Sequence, residues 1–377
     1  MKKKFHKMES LFFVLFTILL PGVNGEILNP LKELSPDYSQ IEEELVQNEE
    51  QLVDEKYLNL EKTAQDFVLE LKELIFPGFP GAFNPSVTRW KEKILVCFRI
   101  RTKKTTHEIG FVWVDENFNQ ISKPSVLSLP PHPSTSFNLQ QDPRLITIGD
   151  RLYMVYSNII PGAKIAQVRR VFVTEIHFDG NAFYADPPEY LAKFEGENEA
   201  RWEKNWTPFV YNDRLLLGYS ITPHRIFQID EPSRCSTIAS SLGLISWDWG
   251  FLRGGTTALP QGDQYLSFFH SSKTLQTVHS NGKPLPHYVM GAYMFANKPP
   301  FEITRISPSP IVGNNFYSPP PYKTWKPLRV VFPGGFIMDE NHIWVVYGRQ
   351  DFESWVVKLD KKALLKSLIP VTTILWE

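Results

Sequence analysis

Cysteine is nearly missing from this 377-residue chain: Cys97 and Cys235 are its two, too few for a disulfide framework and without the paired spacing of a zinc site. Both read as small buried residues. No sign of charge dominates, with 40 Lys and Arg against 41 Asp and Glu, so no bulk field draws the whole chain to nucleic acid or to an anionic membrane. A binding function has to be local. Long apolar runs are absent after the first 25 residues, and no stable membrane span is expected. No His or carboxylate cluster has metal-ligand spacing, and no glycine-rich loop follows a strand and opens a helix as a nucleotide site requires. No metal or organic cofactor is expected. Charged residues reach only 21% against a typical share of about 25%, which argues against a disordered chain and against a coiled coil.

What is abundant is aromatic: 27 Phe, 10 Trp and 14 Tyr, with 30 Pro. The length suits two domains or one large all-β domain. Residues 1–25 read as a cleaved signal peptide, with lysines at 2, 3, 4 and 7, an apolar run from Leu11 to Leu20 and small residues around Val23 and Gly25. The run of ten falls well short of the roughly 20 residues a spanning helix needs. The mature protein is therefore expected to be secreted, periplasmic or lumenal. Residues 26–76 carry 14 acids against 4 lysines, whereas 77–377 carry a net +6. In the acidic part Phe67, Leu71, Leu74 and Ile75 recur at helical spacing, which predicts a short helical extension packed on a larger domain. Pro77-Gly78-Phe79-Pro80 breaks that pattern.

Five 16-residue stretches then align without a gap, starting at Asn84, Asp142, Asn205, Gly255 and Pro333. Each reads as strand, tight polar turn, strand, with Gly, Asn and Asp where a hairpin reverses. The starts lie 58, 63, 50 and 78 residues apart, a spacing that fits one four-stranded blade per repeat stacked round a ring. The expectation is an all-β, five-bladed β-propeller over residues 77–377. The first strand of a blade lines the central channel, so the five starting residues should surround one mouth. Arg99, Ser157, Ser220, His270 and Gly348, which close the second strands, should return there. Charged groups cluster within a few residues of the same ring: Asp142, Arg144, Glu203, Lys204, Arg253 and Asp351. Asn205 and Tyr347 join them as candidate substrate contacts. Trp202, Trp206 and Phe316 are further candidates to stack on the face of a ligand.

The motifs DPRLITIGDRLYMVYS, EKNWTPF, GGTTAL with YLSFFH, and VVFPGGFIMDENHIWVVYGRQD resemble the successive blades of glycoside hydrolase family 130. That family holds β-mannoside phosphorylases and related β-1,2-mannosidases, and resembles fungal β-1,2-mannosyltransferases. The resemblance spans roughly residues 80–360 and implies a five-bladed propeller acting on β-linked mannose in a central pocket. It implies Asp142 as proton donor, Asn84 and Arg99 as sugar contacts, Lys204 as phosphate ligand and Asp351 as acceptor of a sugar hydroxyl. Inorganic phosphate then becomes a possible co-substrate. One departure weakens phosphorolysis: where the phosphorylases carry a His-Arg-Pro element, this chain reads Tyr219-Ser220-Ile221-Thr222-Pro223-His224-Arg225. A lone Lys holds phosphate poorly without Arg partners of fork geometry.

Furanosidase propellers, the rival group, place a carboxylate nucleophile about 5 to 5.5 Å from the acid, and Asn84 cannot serve as one. Inverting hydrolysis needs an acid and an activated water, for which Glu203 is the candidate base. A glycosyltransferase that builds a surface glycan and a catalytically silent sugar-binding propeller remain alternatives. Asn205-Trp206-Thr207 forms a glycosylation sequon whose glycan would fill the pocket, so it reads as unused.

Overall fold

The computed structural model describes residues 56–374 apart from 104–105, 136–138, 163–166, 199, 232 and 320–326, and this part of the chain is all-β. It opens with one strand, β1 (Val68–Glu73), and continues through five antiparallel sheets in sequence order, the fourth and fifth joined edge to edge by a short parallel pairing of His287 and Tyr288 with Arg329 and Val330. The first holds β2 (Phe83–Trp90), β3 (Lys93–Lys103), β4 (Thr106–Val114) and β5 (Ser125–Val126). The second holds β6 (Gln141–Ile148), β7 (Arg151–Pro161) and β8 (Gln167–Phe178), with short β9 (Phe183–Ala185) and β10 (Glu189–Tyr190) both pairing β8. The third runs β11 (Thr207–Tyr211), β12 (Arg214–Ile221), β13 (His224–Glu231) and β14 (Arg234–Leu244).

In the fourth sheet the inner edge is split into β15 (Arg253–Gly254) and β16 (Leu259–Gln261), followed by β17 (Gln264–Gln276), β18 (Pro284–Ala296) and β19 (Ile303–Ile306). The fifth comprises β20 (Arg329–Met338), β21 (His342–Arg349) and β22 (Glu353–Asp360). Helix α1 (Lys361–Ser367), capped by the Asp360 carboxylate at the Ala363 amide (2.7 Å), leads to β23 (Ile369–Pro370) and β24 (Thr372–Ile374). These two lie on the outer edges of the fourth and third sheets. Among the described residues no helix is long and apolar enough to cross a membrane.

All five repeats form the expected hairpins, with last pairs Trp90 with Lys93, Ile148 with Arg151, Tyr211 with Arg214, Gln261 with Gln264, and Met338 with Ile343. Their turns need left-handed backbone, supplied at Lys91 and Glu92, Gly149, Asn212 and Asp213, and Gly262. In the fifth, the Asp339 carboxylate takes the amides of Asn341 and His342, each at 2.7 Å.

The apolar faces of neighbouring sheets meet in five cores. Leu95 and Phe111 pack with Leu145 and Phe172; Val155 and Val171 with Leu217 and Phe227; Phe209 and Ile226 with Phe269 and Phe295. Phe268 and Val289 pack with Phe336 and Val345, and Ile337 and Val346 of the fifth sheet return to Val87 and Val96 of the first. The inner strands of those two sheets touch so closely that a Cβ on Gly334 would lie 2.0 Å from the Pro85 carbonyl oxygen. Cys97 and Cys235 are buried free thiols, as expected.

The helical extension is corrected in its described part. Residues 68–73 are a strand that pairs antiparallel with β22, giving the fifth sheet its fourth strand, and Leu74 and Phe76 enter the core between the fifth and first sheets. A register shift between Val68 and Glu70 interrupts the two-residue period of the strand, so its apolar spacing imitates a helix. The boundary at residue 76 therefore divides one structural unit. The signal-like segment 1–25 and the acidic residues 26–55 lie outside the described residues.

Candidate functional site

The inner strands carry an uncommon backbone at equivalent places. Asn84, Asp142 and Asn205 all sit at positive φ, 49°, 54° and 63°, a region that Asn and Asp enter more readily than other residues with a side chain. Pairing slips around two of them, between Phe83 and Ser86 and between Gln141 and Arg144. Such bulges redirect side chains. Here the two side chains meet: Asn84 Nδ2 donates to Asp142 Oδ1 at 2.9 Å. Gly348 makes room for this, since a Cβ there would lie 1.9 Å from Asn84 Oδ1.

Asp142 stands in the wall of a cavity of about 620 Å³. Five cations line it, Arg99, Arg101, Arg169, Lys204 and Arg253, against two carboxylates, Asp142 and Asp351. Arg99 Nη1 lies 3.5 Å from Asp142 Oδ1, and its Nη2 lies 2.9 Å from His107 Nδ1. Burial, then Arg99, Arg101 and Arg169, lower the His107 pKa to about 3, so the neutral ring accepts that bond. Arg169 is tied to the Leu139 carbonyl at 3.0 Å. Gln141, in the amide orientation that satisfies its neighbours, accepts from Arg99 and Arg169.

Burial alone would raise the Asp142 carboxyl, but Arg99, Lys204, Arg144 and the Asn84 amide outweigh it and hold the group at about 2. It is a carboxylate at neutral pH. Asp351, also at positive φ (54°), is pushed upward, by burial first and by Asp142, against the pull of Arg99 and Lys204. His270 is held neutral, burial and then Arg144, Lys204 and Arg253 depressing its pKa well below the usual value.

Eight of the residues singled out from sequence reach this cavity: Asn84, Arg99, Asp142, Trp202, Lys204, Arg253, His270 and Asp351. Arg144 and Asn205 stand behind it. Arg144 bonds the Gly255 carbonyl, the Asp142 carbonyl (2.6 Å) and Asn205 Oδ1 (3.4 Å), so it braces the Asp142 backbone instead of facing a ligand. Two expectations are corrected. Glu203 does not line the cavity: on an extended segment its neighbours Trp202 and Lys204 face in and Glu203 faces out, toward Trp206 Nε1 (3.4 Å), Tyr219 Oη (3.5 Å) and Arg201 (3.6 Å). Tyr347 is fully buried in the core between the fourth and fifth sheets, against Phe316 at 5.2 Å. Trp206 is likewise core, while Trp202, 53% exposed, lines the cavity.

The displaced His224 and Arg225 tie the third sheet to flanking segments, His224 at the Phe301 carbonyl before β19 and Arg225 at Glu195 before β11. Sequence reading missed Arg101, His107, Gln141, Arg169, Tyr288, Leu328, Val330 and Phe332. A signal existed for Arg169, since two adjacent arginines interrupt the apolar strand β8. Among the described residues one trio of metal-ligand types does come together, Glu175, His177 and Asp186 at the second sheet. Arg151 engages both Glu175 oxygens and His177 Nε2 lies 3.0 Å from Asp186.

No family model and no curated protein matches the chain. Solved structures do. A glycosyl hydrolase from Bacteroides ovatus aligns with TM-score 0.56 and 15% identity, over 75% of this chain and 85% of its own. A structure from the GH130 family of mannoside phosphorylases, described as containing glycoside hydrolases that target β-1,2 mannosidic linkages in Candida mannan, gives 0.55 and 12%, over 75% and 85%. A mannose phosphorylase from Leishmania mexicana in complex with phosphate gives 0.52 and 13%, over 86% and 97%. The chain has the fold of these glycoside hydrolase and phosphorylase structures.

Proposed function

We propose that this chain is a carbohydrate-active enzyme, a five-bladed β-propeller that acts on β-linked mannosides with phosphate as co-substrate. The five cores, the last of which returns to the first sheet, support the propeller. The observation that carries the activity is the convergence of five cations on the cavity where Asn84 and Arg99 hold Asp142. Their excess over two carboxylates favours an anionic partner, and Arg169 and Arg253 supply the fork-shaped donors that Lys204 lacks by itself. The Leishmania mexicana neighbour, a mannose phosphorylase with phosphate bound, supports the same reading.

In this account Lys204 and Arg169 bind phosphate, and a phosphate oxygen forms a bond to the anomeric carbon as the glycosidic C–O bond breaks. The bound dianion offsets the cations that keep Asp142 ionised, so its pKa rises as the co-substrate arrives. Asp142 then gives a proton to the leaving oxygen, directly or through a sugar hydroxyl. The new phosphate ester sheds a proton and the carboxylate regains one. Hydrolysis is disfavoured because Glu203 faces away from the cavity. The second reading, transfer to an acceptor glycan, draws on the ionised Asp142 of the free protein, the form that accepts a proton from an attacking hydroxyl. The signal-like residues 1–25 support export.

Sugar release from β-1,2-mannobiose, measured with and without inorganic phosphate, tests this. Mannose 1-phosphate formed only with phosphate supports the proposal. Free mannose formed equally without phosphate means hydrolysis, and binding with no turnover under either condition means a sugar-binding protein.

A further inference from the structure

The cavity has two unlike halves. The half built around Asn84, Arg99 and Asp142 offers hydrogen-bonding groups on every side. A second wall comes from the fourth and fifth sheets: Arg253 on β15, paired with His270 on β17, and Asp351 just after β21 supply its charges, while Tyr288 on β18 and Leu328, Val330 and Phe332 along the start of β20 supply an apolar strip. The last three are spaced by two residues and so share one face of an extended chain. The residues between them serve other ends: Val331 is in the core between the sheets, and Arg329 bonds the His279 carbonyl at 2.6 Å. Leu328, Val330 and Phe332 form a small apolar cluster with Tyr288, separate from the five cores that hold the sheets together.

His270 completes this wall. Its ring lies 4.6 Å from Phe332 and runs nearly parallel to Tyr288, at 6.2 Å and 19°. It is 1% exposed, and its Nδ1 has no hydrogen-bond partner among the described residues. A second sugar in this half would bring several hydroxyls against Leu, Val and Phe, which satisfy none of them, and a buried polar group without a partner is costly. An aromatic ring fits instead. Its faces match the apolar wall, and aromatic contacts of this spacing are favourable.

Resting on the mannoside reading above, we propose that the wall formed by Tyr288, Leu328, Val330 and Phe332 is a subsite for a planar aromatic leaving group, with one polar substituent directed to His270 Nδ1. The preferred substrates are then aryl β-mannosides, with disaccharides second.

The test is calorimetric, on Asp142→Asn protein so that no ligand is consumed, with methyl, octyl and 4-nitrophenyl β-D-mannopyranoside and β-1,2-mannobiose. The 4-nitrophenyl glycoside should bind at least about tenfold tighter than the methyl glycoside, the scale set by burying one aromatic ring, and tighter than the other two. Adding Leu328→Asn should erase that preference and leave the methyl glycoside unchanged, whereas Leu328→Met should retain it. Tightest binding by mannobiose or by the octyl glycoside overturns the proposal, as does an aryl preference that survives Leu328→Asn. If no β-mannoside binds, the methyl and 4-nitrophenyl pairs of β-galactose and β-N-acetylglucosamine decide. A Leu328-dependent aryl preference there upholds the subsite while the mannose assignment falls, and its absence overturns the subsite.

Discussion

Asn84 and Asp142 lie 58 residues apart in sequence and 2.9 Å apart in space, Nδ2 of the first donating to Oδ1 of the second. Both are bulged, left-handed residues at equivalent places in consecutive sheets. The left-handed backbone and the cavity carboxylate are thus parts of one arrangement.

Asn84→Gly keeps the left-handed backbone at no steric cost and removes the donor. A hydrogen bond to a charged group contributes about 1.5–3 kcal/mol, so kcat/KM on a β-mannoside should fall about tenfold to a hundredfold in steady-state assays. Gly348→Ala should act in the same direction by displacing the Asn84 amide. Full activity in Asn84→Gly would remove this contact from the mechanism.

Lys204 and Glu203 are adjacent in sequence and face opposite ways, which separates their expected effects. Lys204→Gln should raise the KM for phosphate about tenfold or more, in keeping with a lost charge-assisted contact, with little change in Tm. Glu203→Gln keeps the contacts to Trp206 and Tyr219 and should leave kcat within about twofold. A large kcat loss in Glu203→Gln would return that residue to the chemistry.

A chain starting at Pro77 lacks β1 and the buried Leu74 and Phe76. At about 1.5–3 kcal/mol for each buried side chain, the loss is a large share of a typical stability of about 5–15 kcal/mol. Thermal unfolding should show a collapse of Tm or no cooperative transition. An unchanged Tm would mean that β1 is dispensable.

Acid should destabilise the protein through its buried histidines before Asp142 titrates. Burial, the first cause in each case, lowers His107, His224 and His287 to about 3, 4 and 4, while the unfolded chain titrates near 6.5. Below about pH 6.5 the unfolded state binds more protons, so stability falls by about 1.4 kcal/mol per pH unit for each such histidine. Asp142, held at about 2, adds its loss only below about pH 4. A Tm that stays flat between pH 7 and 5 would contradict these burials.

The hairpins were legible because turn chemistry is local: Asn212-Asp213 or Gly149-Asp150 between apolar runs reverses a chain whatever surrounds it. Asn84 and Asp142 were legible because their positions recur from repeat to repeat. Residues whose direction depends on register were not. Successive residues of a strand face opposite sides, so Tyr347, paired with Pro333, enters the core while Phe332, paired with Gly348, reaches the cavity. Glu203 failed for the same reason, one residue from Lys204 and on the other side. Strand β1 needed the free edge of β22, almost 300 residues later in the chain, which no local period contains.

The most direct measurement follows a β-mannoside with inorganic phosphate by proton and phosphorus NMR, in wild type and in Asp142→Asn. Wild type should form mannose 1-phosphate of inverted anomeric configuration, and the folded Asn variant should form it at least about 100-fold more slowly, the lower range of general-acid contributions. Equal rates in the two proteins, or no phosphate ester from any β-mannoside, would contradict the role assigned to Asp142 and to the cationic cavity around it.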